Sequence, residues 1–350
     1  MASTAHANFP SLDEDVKQAL KQWHGDSNAA SPLAHLYLFR QTQREGYSTP
    51  RQITNQVLLK AMARLRETHA EAARLLQMRF LDLLSVTQVA NKLNIAESTL
   101  FTAQRVAIQQ LTASLYDLEQ EAKLTQKTLL DKRLPSASYV NLVGVEVHLA
   151  ALMTVLTVPE PPWVISIEGM GGVGKTALAD ALIRRLIQQG AYDEVGWVSA
   201  QPHRLNLGGA LTTVAGAALT AEILIEKLAK QLLPEVAKQV ERSTEQLWTL
   251  LQARMTTFSH LIVIDNLETL NDVESLLPIL QKLTNPSKFV LTSRASFYSE
   301  ANLFHFQVPE LSTTAALQLI RQEATLRNLP VFANSGDDEL LPIIETVGSN

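Results

Sequence analysis

Residues 169–176 read Gly-Met-Gly-Gly-Val-Gly-Lys-Thr, which has the residue types and the spacing of a loop that cradles phosphate groups. Glycines let a backbone wrap around an anion without Cβ clashes, and a helix that follows offers free N–H groups and the positive end of its dipole. Lys175 would reach the β and γ phosphates, and the hydroxyl of Thr176 would ligate Mg²⁺. The loop therefore predicts a binding site for a nucleoside triphosphate and magnesium, built from Gly169, Gly171, Gly172, Val173, Gly174, Lys175, Thr176 and Ala177.

A carboxylate, Asp265, follows the apolar residues 261–264. A buried strand that delivers an aspartate to the edge of the sheet commonly completes the magnesium shell in folds with a phosphate loop. The next residue is Asn266, at a position where many hydrolysing proteins with this loop carry a second carboxylate. An amide cannot accept a proton, so the sequence predicts slow hydrolysis. Glu268 could supply a base instead, although its position is more typical of an exposed acidic residue in a loop.

Residues 288–294 read Lys-Phe-Val-Leu-Thr-Ser-Arg and predict a strand that ends in two hydroxyl groups and a guanidinium group. An arginine at a strand end beside the phosphates can detect the γ phosphate through charge-assisted hydrogen bonds. We therefore expect Lys175, Asp265 and Arg294 to act on the phosphates, and we expect Thr176 and Asp265 to be the metal ligands.

Short apolar segments alternate with helical segments after residue 162. The apolar segments are 163–167, 194–198, 261–264, 289–291 and 304–308. The helical segments lie near 175–189, 220–233, 243–257, 272–283 and 312–328. Strands that alternate with helices predict a parallel sheet covered on both faces, which here is an α/β P-loop NTPase domain with a five-stranded parallel sheet.

Residues 31–133 show no clean period-two alternation and predict an all-helical domain. Helix starts are indicated by Ser31 and Thr49, each before a proline, and by a capping box from Thr68 to Glu71. From residue 101 to 133 nothing breaks a helix, and its apolar residues form a heptad seam of Ile108, Leu111, Leu115, Leu118, Ala122, Thr125 and Leu129. The seam favours either a long helix that packs on its own chain or a coiled-coil dimer.

Residues 75–100 resemble the helix-turn-helix of sigma-factor region four, which is a DNA-binding module. Ser85 would cap its first helix, residues 94–97 would form the turn, and Ser98 would open the second helix. In a DNA reader of this kind, four side chains would face the groove or the backbone, namely Ser98, Thr99, Thr102 and Arg105. The surface has few basic side chains, so a module of the same shape that binds protein is an equal alternative.

The three elements of the phosphate site, taken in order with further segments, resemble the NB-ARC ATPases, a branch of the STAND signalling switches. The further segments are Val143-Gly144 before an amphipathic helix, Gly-Trp-Val-Ser at 196–199, and residues 311–319, which resemble the start of the helical ARC subdomain. The resemblance implies that Val143 and Gly144 contact the nucleotide and that ATP or ADP binds with Mg²⁺. It also implies a protein that rests with ADP, exchanges it for ATP, hydrolyses ATP slowly and assembles into a homo-oligomer.

Two departures from the family pattern affect the expected site. Val145 stands where the family often has an arginine near the adenine, and the chain stops at residues 348–350, Gly-Ser-Asn, without the proline of the family's Gly-x-Pro signature. We therefore expect a fragment that lacks winged-helix and sensor parts. The N-terminal helical domain, here called the head, would serve either a DNA-binding transcription regulator or a defence and stress signalling hub, in which the head recruits or acts as an effector.

The chain of 350 residues has a net charge of −5 and no cysteine, which excludes disulfides and thiolate metal sites. Neither a signal peptide nor an apolar segment long enough to span a bilayer is indicated, so we expect a cytoplasmic protein without a membrane partner. The predicted division is a flexible lead-in at 1–30, an all-helical helix-turn-helix domain at 31–134, a linker with a nucleotide-proximal helix at 135–162, a P-loop domain at 163–310 and the start of the ARC subdomain at 311–350.

Overall fold

The computed structural model describes residues 10–137, 139–200, 203–205, 211–213, 219–237, 243–267, 270–294 and 303–347. The chain divides into two compact units, Met1–Gln126 and Lys127–Asn350. Each unit has its own buried apolar core, and each is described by itself below.

The first unit is helical, as predicted. Its helices are α1 (Pro10–Lys21), α2 (Tyr37–Arg44), α3 (Pro50–Thr68), α4 (Ala70–Leu76), α5 (Val86–Leu93) and α6 (Glu97–Asp131), and a π-helical turn, Gln77–Leu81, extends α4. The last turn of α6 belongs to the second unit. The core contains fully buried leucines of several helices, including Leu58, Leu65, Leu111 and Leu115.

Two of the predicted helix starts are confirmed by their hydrogen bonds. The Thr49 hydroxyl accepts the backbone N–H of Gln52 at the start of α3, where Pro50 occupies the first helical position. Ser85 and Gln88 form a reciprocal capping box at the start of α5. These caps satisfy backbone donors that the first turn of a helix leaves without partners.

Two other predicted starts are wrong. The Thr68 hydroxyl donates to the Leu65 carbonyl at 3.3 Å, and α4 begins after His69 without a side-chain cap. Ser31 accepts the N–H of Leu33 within a turn, and the next helix begins only at Tyr37. In both cases a threonine or serine makes a local bond that competes with capping.

Glu119 replaces the missing local cap of α2. Its buried carboxylate accepts the backbone N–H groups of Tyr37 and Leu38, each at 2.9 Å, and Lys123 lies 2.9 Å from the same carboxylate. A negative charge at a helix N-terminus also interacts favourably with the helix dipole. The contact fixes α2 against α6 and explains why a buried glutamate is tolerated there.

The heptad seam of α6 is buried in its first half and exposed at its end. Ile108, Leu111 and Leu115 belong to the core of the first unit, whereas Thr125 is exposed and Leu129 is 55% exposed. The first half of the seam therefore packs on its own chain, which is one of the two expected alternatives.

The second unit contains the predicted five-stranded parallel sheet. Its strands are β1 (Val164–Glu168), β2 (Glu194–Ser199), β5 (His260–Leu267), β6 (Lys288–Ser293) and β7 (Phe304–Gln307), in the order β2-β5-β6-β1-β7. The short strands β3 (His203–Leu205) and β4 (Leu211–Thr213) pair with each other. The helices are α7 (Glu146–Thr157), α8 (Lys175–Gln189), α9 (Ala221–Leu232), α10 (Pro234–Ala237), α11 (Thr244–Thr257), α12 (Leu270–Leu283), α13 (Thr313–Leu326), α14 (Pro330–Asn334) and α15 (Asp337–Val347).

Helices cover both faces of this sheet because successive strand residues point to opposite sides. On β5, Leu261 and Val263 pack with α7 and α8, while Ile262 and Ile264 pack with α9, α11 and α12. The central residues of the strands are therefore mostly apolar, which is why short apolar segments indicate them in the sequence. Helices α13 and α15 contribute a small separate apolar cluster.

β2 lies at one edge of the sheet, and side chains of the same unit bind its outer backbone groups. The amide of Gln231 on α9 accepts the N–H of Trp197 at 3.0 Å and donates to the Trp197 carbonyl at 2.8 Å. Lys227 donates to the Ser199 carbonyl at 3.0 Å, and Arg133 donates to the Val195 carbonyl at 3.3 Å.

The segment between α6 and α7 is tied to α8. Arg184 on α8 donates to the Asp131 carboxylate at 2.9 Å and to the Pro135 carbonyl at 2.7 Å. Asp180, one turn earlier, accepts from Arg184 at 2.8 Å and from the Tyr139 hydroxyl at 2.7 Å. Burial, followed by the Asp180 carboxylate, raises the pKa of Tyr139 to about 12, so the phenol keeps its proton at neutral pH.

Candidate nucleotide-binding site

The phosphate loop lies between the end of β1 and the start of α8, where the free N–H groups of the helix N-terminus can bind an anion. Gly169, Gly172 and Gly174 have φ angles of +150°, +88° and +90°, which side-chain-bearing residues rarely adopt. A Cβ atom on Gly169 would also lie 3.1 Å from the Cγ1 atom of Val173. The glycines are therefore needed for the course of the loop.

Lys175 lies folded over this loop. Its Nζ atom donates to the carbonyl oxygens of Gly169 at 2.7 Å and Met170 at 2.6 Å. Burial lowers the pKa of Lys175, and the nearby positive charge of Arg294 lowers it further. Two positive charges therefore meet beside the loop, an arrangement that favours a polyanionic ligand.

Asp265 joins the loop to the middle of the sheet. Its Oδ1 atom accepts hydrogen bonds from the hydroxyl of Thr176 at 2.8 Å and from the hydroxyl of Thr292 at 2.6 Å. Asp265 is buried, at the end of the continuously apolar part of β5. The structure thus brings the predicted pair of metal ligands, Thr176 and Asp265, into direct contact.

This pair fits a magnesium ion by the chemistry of its donor atoms. Carboxylate and hydroxyl oxygens are hard ligands, and Mg²⁺ usually takes one or two from the protein while keeping waters and phosphate oxygens. Within the described ranges, no group of three or more histidine, cysteine, aspartate or glutamate side chains could form a complete metal cage. The donor set therefore suits a metal shared with phosphates.

Arg294 follows β6 and lies against the phosphate loop. A Cβ atom on Gly171 would be 3.7 Å from the Cζ atom of the Arg294 guanidinium group. The predicted proximity of this arginine to the loop is therefore present in the structure.

A cleft of about 240 Å³ lies among these elements. Residues from three segments line it, namely Gly171, Gly172, Gly174, Lys175, Thr176, Ala177, Asn266, Leu267, Thr292, Ser293 and Arg294. Gly169 and Val173 shape the loop without lining this cleft. The sequence predicts no role for Thr292, since a hydroxyl group at the end of a strand does not by itself form a recognisable motif.

Val143 and Gly144 do not line the cleft. Val143 is buried, and Gly144 has a φ angle of +73°. A Cβ atom on Gly144 would lie 3.2 Å from side-chain atoms of both Leu311 and Ala315. This glycine therefore allows close approach of the segment that begins α13, and contact of the pair with a nucleotide stays a prediction.

The exposed face at the start of α6 carries all four side chains proposed to contact DNA. Ser98, Thr99, Thr102 and Arg105 are exposed. α6 begins at Glu97, so Ser98 lies inside the helix instead of capping it. The preceding turn contains Asn94 in the left-handed conformation, with a φ angle of +53°.

No helix in the described part of the chain is long and apolar enough to cross a bilayer.

Comparison with known proteins adds family relationships to this geometry. The model of the NB-ARC domain matches residues 145–329, and a family described as a protein of unknown function (DUF1492) matches residues 46–112. The TMV resistance protein N of Nicotiana glutinosa is 27% identical over 200 residues, which are 56% of this chain and 16% of that protein. The chain thus spans about a sixth of the curated relative that it matches.

Two solved structures are similar to this chain at low sequence identity. The STAND protein with a tetratricopeptide repeat sensor from Pyrococcus horikoshii is 14% identical, with a TM-score of 0.37, over 60% of this chain and 28% of that one. The HORMA:CdnC:Trip13 complex of E. coli MS115-1 gives 13% identity and a TM-score of 0.33, over 53% of this chain and 67% of the matched chain. The NB-ARC match, in contrast, covers more than half of this chain and includes the phosphate loop, Asp265 and Arg294. The chain belongs to the NB-ARC family.

Proposed function

We propose that this protein is a signalling switch that binds ATP and ADP with Mg²⁺ in the cleft beside the phosphate loop. The observation that carries the proposal is the convergence of Lys175, Thr176, Asp265 and Arg294, which come from three separate segments. Family membership supports nucleotide binding with a divalent metal, and the TMV resistance protein N is a relative by sequence.

Each of these residues would have a distinct role. Lys175 would exchange the loop carbonyls for oxygens of the β and γ phosphates, and the loop N–H groups would hold the remaining oxygens. Thr176 and Asp265 would hold the metal, which neutralises phosphate charge when it is bound. Arg294 would contact the γ phosphate and so distinguish ATP from ADP.

The same cleft lacks a carboxylate at the position after Asp265. Asn266 lines the cleft and has a φ angle of +64°. Its amide can orient a water molecule but cannot remove a proton from it. Glu268, the other candidate base, lies outside the described residues. We therefore propose slow hydrolysis that resets the switch.

α8 offers a physical route from the nucleotide to the head. It begins at Lys175 in the phosphate loop, and between one and three turns later its Asp180 and Arg184 hold the end of α6 and the segment that follows it. A displacement at the start of α8 would therefore act directly on this linker.

The proposed domain division is a head at 31–134, a linker at 135–162, a nucleotide domain at 163–310 and an ARC segment from 311.

The switch is tested by the mass of the assembly in each nucleotide state. With Mg²⁺ and a slowly hydrolysed ATP analogue we expect a homo-oligomer by sedimentation velocity, whereas with ADP we expect a smaller species. The Arg294→Gln variant should bind both nucleotides and should remain the smaller species in the presence of either one. An unchanged mass in saturating ATP analogue, with binding verified by calorimetry, would contradict the switch.

For the head we propose DNA binding through the exposed start of α6. The alternative, recruitment of an effector protein, uses the same surface, where Arg105 and Phe101 also border a cleft of about 420 Å³. Duplex DNA should bind with an affinity that falls steeply as the salt concentration rises. Arg105→Ala should reduce the slope of log affinity against log salt concentration, here called the salt slope, by about one. Fluorescence anisotropy over a salt series measures both quantities.

Arg327→Ala is the matched control, because it removes one exposed positive charge from the second unit. It should leave the salt slope unchanged. No binding to duplex DNA even at low salt would favour the effector alternative.

A further inference from the structure

The ladder between β5 and β6 contains an irregularity at Asp265. Ile264 pairs with Leu291 and Leu267 pairs with Ser293, so two residues of β5 stand opposite the single residue Thr292. This is the geometry of a β-bulge, which bends a strand and redirects a side chain. Here the redirected residues are Asp265 and Asn266, at the centre of the proposed metal site.

The Thr292 hydroxyl fills the gap that the bulge opens. It accepts the backbone N–H of Asn266 at 2.9 Å and donates its proton to Asp265 Oδ1 at 2.6 Å. Thr292 is only 1% exposed, so water cannot readily replace these bonds. One hydroxyl therefore stabilises the left-handed backbone of Asn266 and also fixes the carboxylate of Asp265.

The hydrogen bonds to the Asp265 carboxylate decide which of its two oxygens is available to a metal. Within the part of the chain that the structure describes, both side-chain hydrogen bonds of Asp265 end on Oδ1, one from Thr176 and one from Thr292. Neither of these bonds involves the second oxygen, Oδ2, which would therefore be available as a ligand for a metal ion. Without the Thr292 hydroxyl the carboxylate would gain rotational freedom, and that freedom would be lost again on metal binding.

We propose that Thr292 is a positioning residue for the metal site, acting through Asp265. This inference rests on the proposed function, because it concerns the magnesium-dependent part of nucleotide binding. It assigns to Thr292 no contact with the phosphates. The affinity for a nucleotide in the absence of a metal should therefore be independent of this hydroxyl.

The experiment compares ADP affinity with Mg²⁺ and with EDTA, using a fluorescent ADP analogue and the full chain. Thr292→Val keeps the branched shape and removes the hydroxyl, and Thr292→Ser keeps the hydroxyl. We expect Thr292→Val to reduce the enhancement of affinity by Mg²⁺ on the order of tenfold, as is common for partners of metal ligands. We expect its affinity for the ADP analogue in EDTA to stay within about twofold of the wild-type value. Thr292→Ser should retain the enhancement of affinity by Mg²⁺.

Thr249→Val is the matched control, because Thr249 is an exposed threonine on α11 whose hydroxyl bonds only within its own helix. If Thr292→Val fails to fold, as judged by thermal unfolding, Thr292→Ala removes the same hydroxyl without adding a methyl group and should show the same selective loss. An equal loss in Mg²⁺ and EDTA, or no loss, would overturn the role of Thr292. A wild-type protein that binds no ADP in either condition would instead overturn the proposed function.

Discussion

Lys175→Ala should weaken the binding of ATP and ADP on the order of 100-fold. The ammonium group now donates to two loop carbonyls, at 2.7 and 2.6 Å, and the same donors would serve the β and γ phosphates. Charge-assisted hydrogen bonds are each worth about 1.5–3 kcal/mol, and 2.7 kcal/mol corresponds to a hundredfold change. Isothermal titration calorimetry with each nucleotide measures the effect.

The control for this variant is Lys282→Ala, which removes an exposed lysine from α12 of the same unit. Its nucleotide affinity should equal that of the wild type. Thermal unfolding of both variants separates lost binding from lost folding, since Lys175 also ties the loop to α8. Retention of ADP through purification by Lys175→Ala would contradict the assignment of the phosphate loop.

Asn266→Asp should accelerate ATP hydrolysis by roughly ten- to a hundredfold, at or below the lower end of general-base contributions. Asn266 lines the cleft directly after Asp265, and its backbone adopts a φ angle of +64° that aspartate also tolerates. A carboxylate there could accept a proton from the attacking water. The measurement is single-turnover hydrolysis with the protein in excess over ATP.

Asn266→Gly serves as its control because glycine accepts the same backbone angle without providing a base. We expect Asn266→Gly to hydrolyse ATP no faster than the wild type. If Asn266→Asp binds ATP normally and its rate stays within twofold of the wild type, the slow-hydrolysis argument is wrong. Its assembly in ATP should also be shorter-lived, because faster hydrolysis resets the proposed switch.

Much of the second unit could be predicted from local sequence. The strands β1, β2, β5 and β6 are buried on both faces, so each appears as a short apolar segment. The phosphate loop appears as closely spaced glycines because its backbone adopts positive φ angles. The five strands and their parallel arrangement followed from this pattern. The proximity of Thr176 to Asp265 was implied by their prediction as ligands of one metal, since the loop after β1 and the end of β5 lie at the same edge of the sheet, with β6 between the two strands.

The features that sequence reasoning missed depend on partners distant in the chain. Thr292 acts because a bulge places two residues opposite it, and a bulge depends on the register between strands. Glu119 caps a helix that begins 82 residues earlier, so no local motif at Leu36 indicated that cap. Ser31 and Thr68 are the exceptions, because their hydroxyl groups bond to nearby backbone groups instead of capping a helix.

The side chains that line β2 also limit how this sheet can grow. An edge strand normally offers a template on which a strand of another molecule can be added. Gln231 already makes both hydrogen bonds with Trp197 that such a strand would make. Gly196 leaves room for the side chains around it, since a Cβ atom there would lie 3.0 Å from Ile262 Cδ1 and 3.4 Å from Gln231 Oε1. A second molecule would have to displace a packed helix before it could pair with β2. In the proposed assembly, copies of this chain would therefore associate without their sheets fusing on the β2 side.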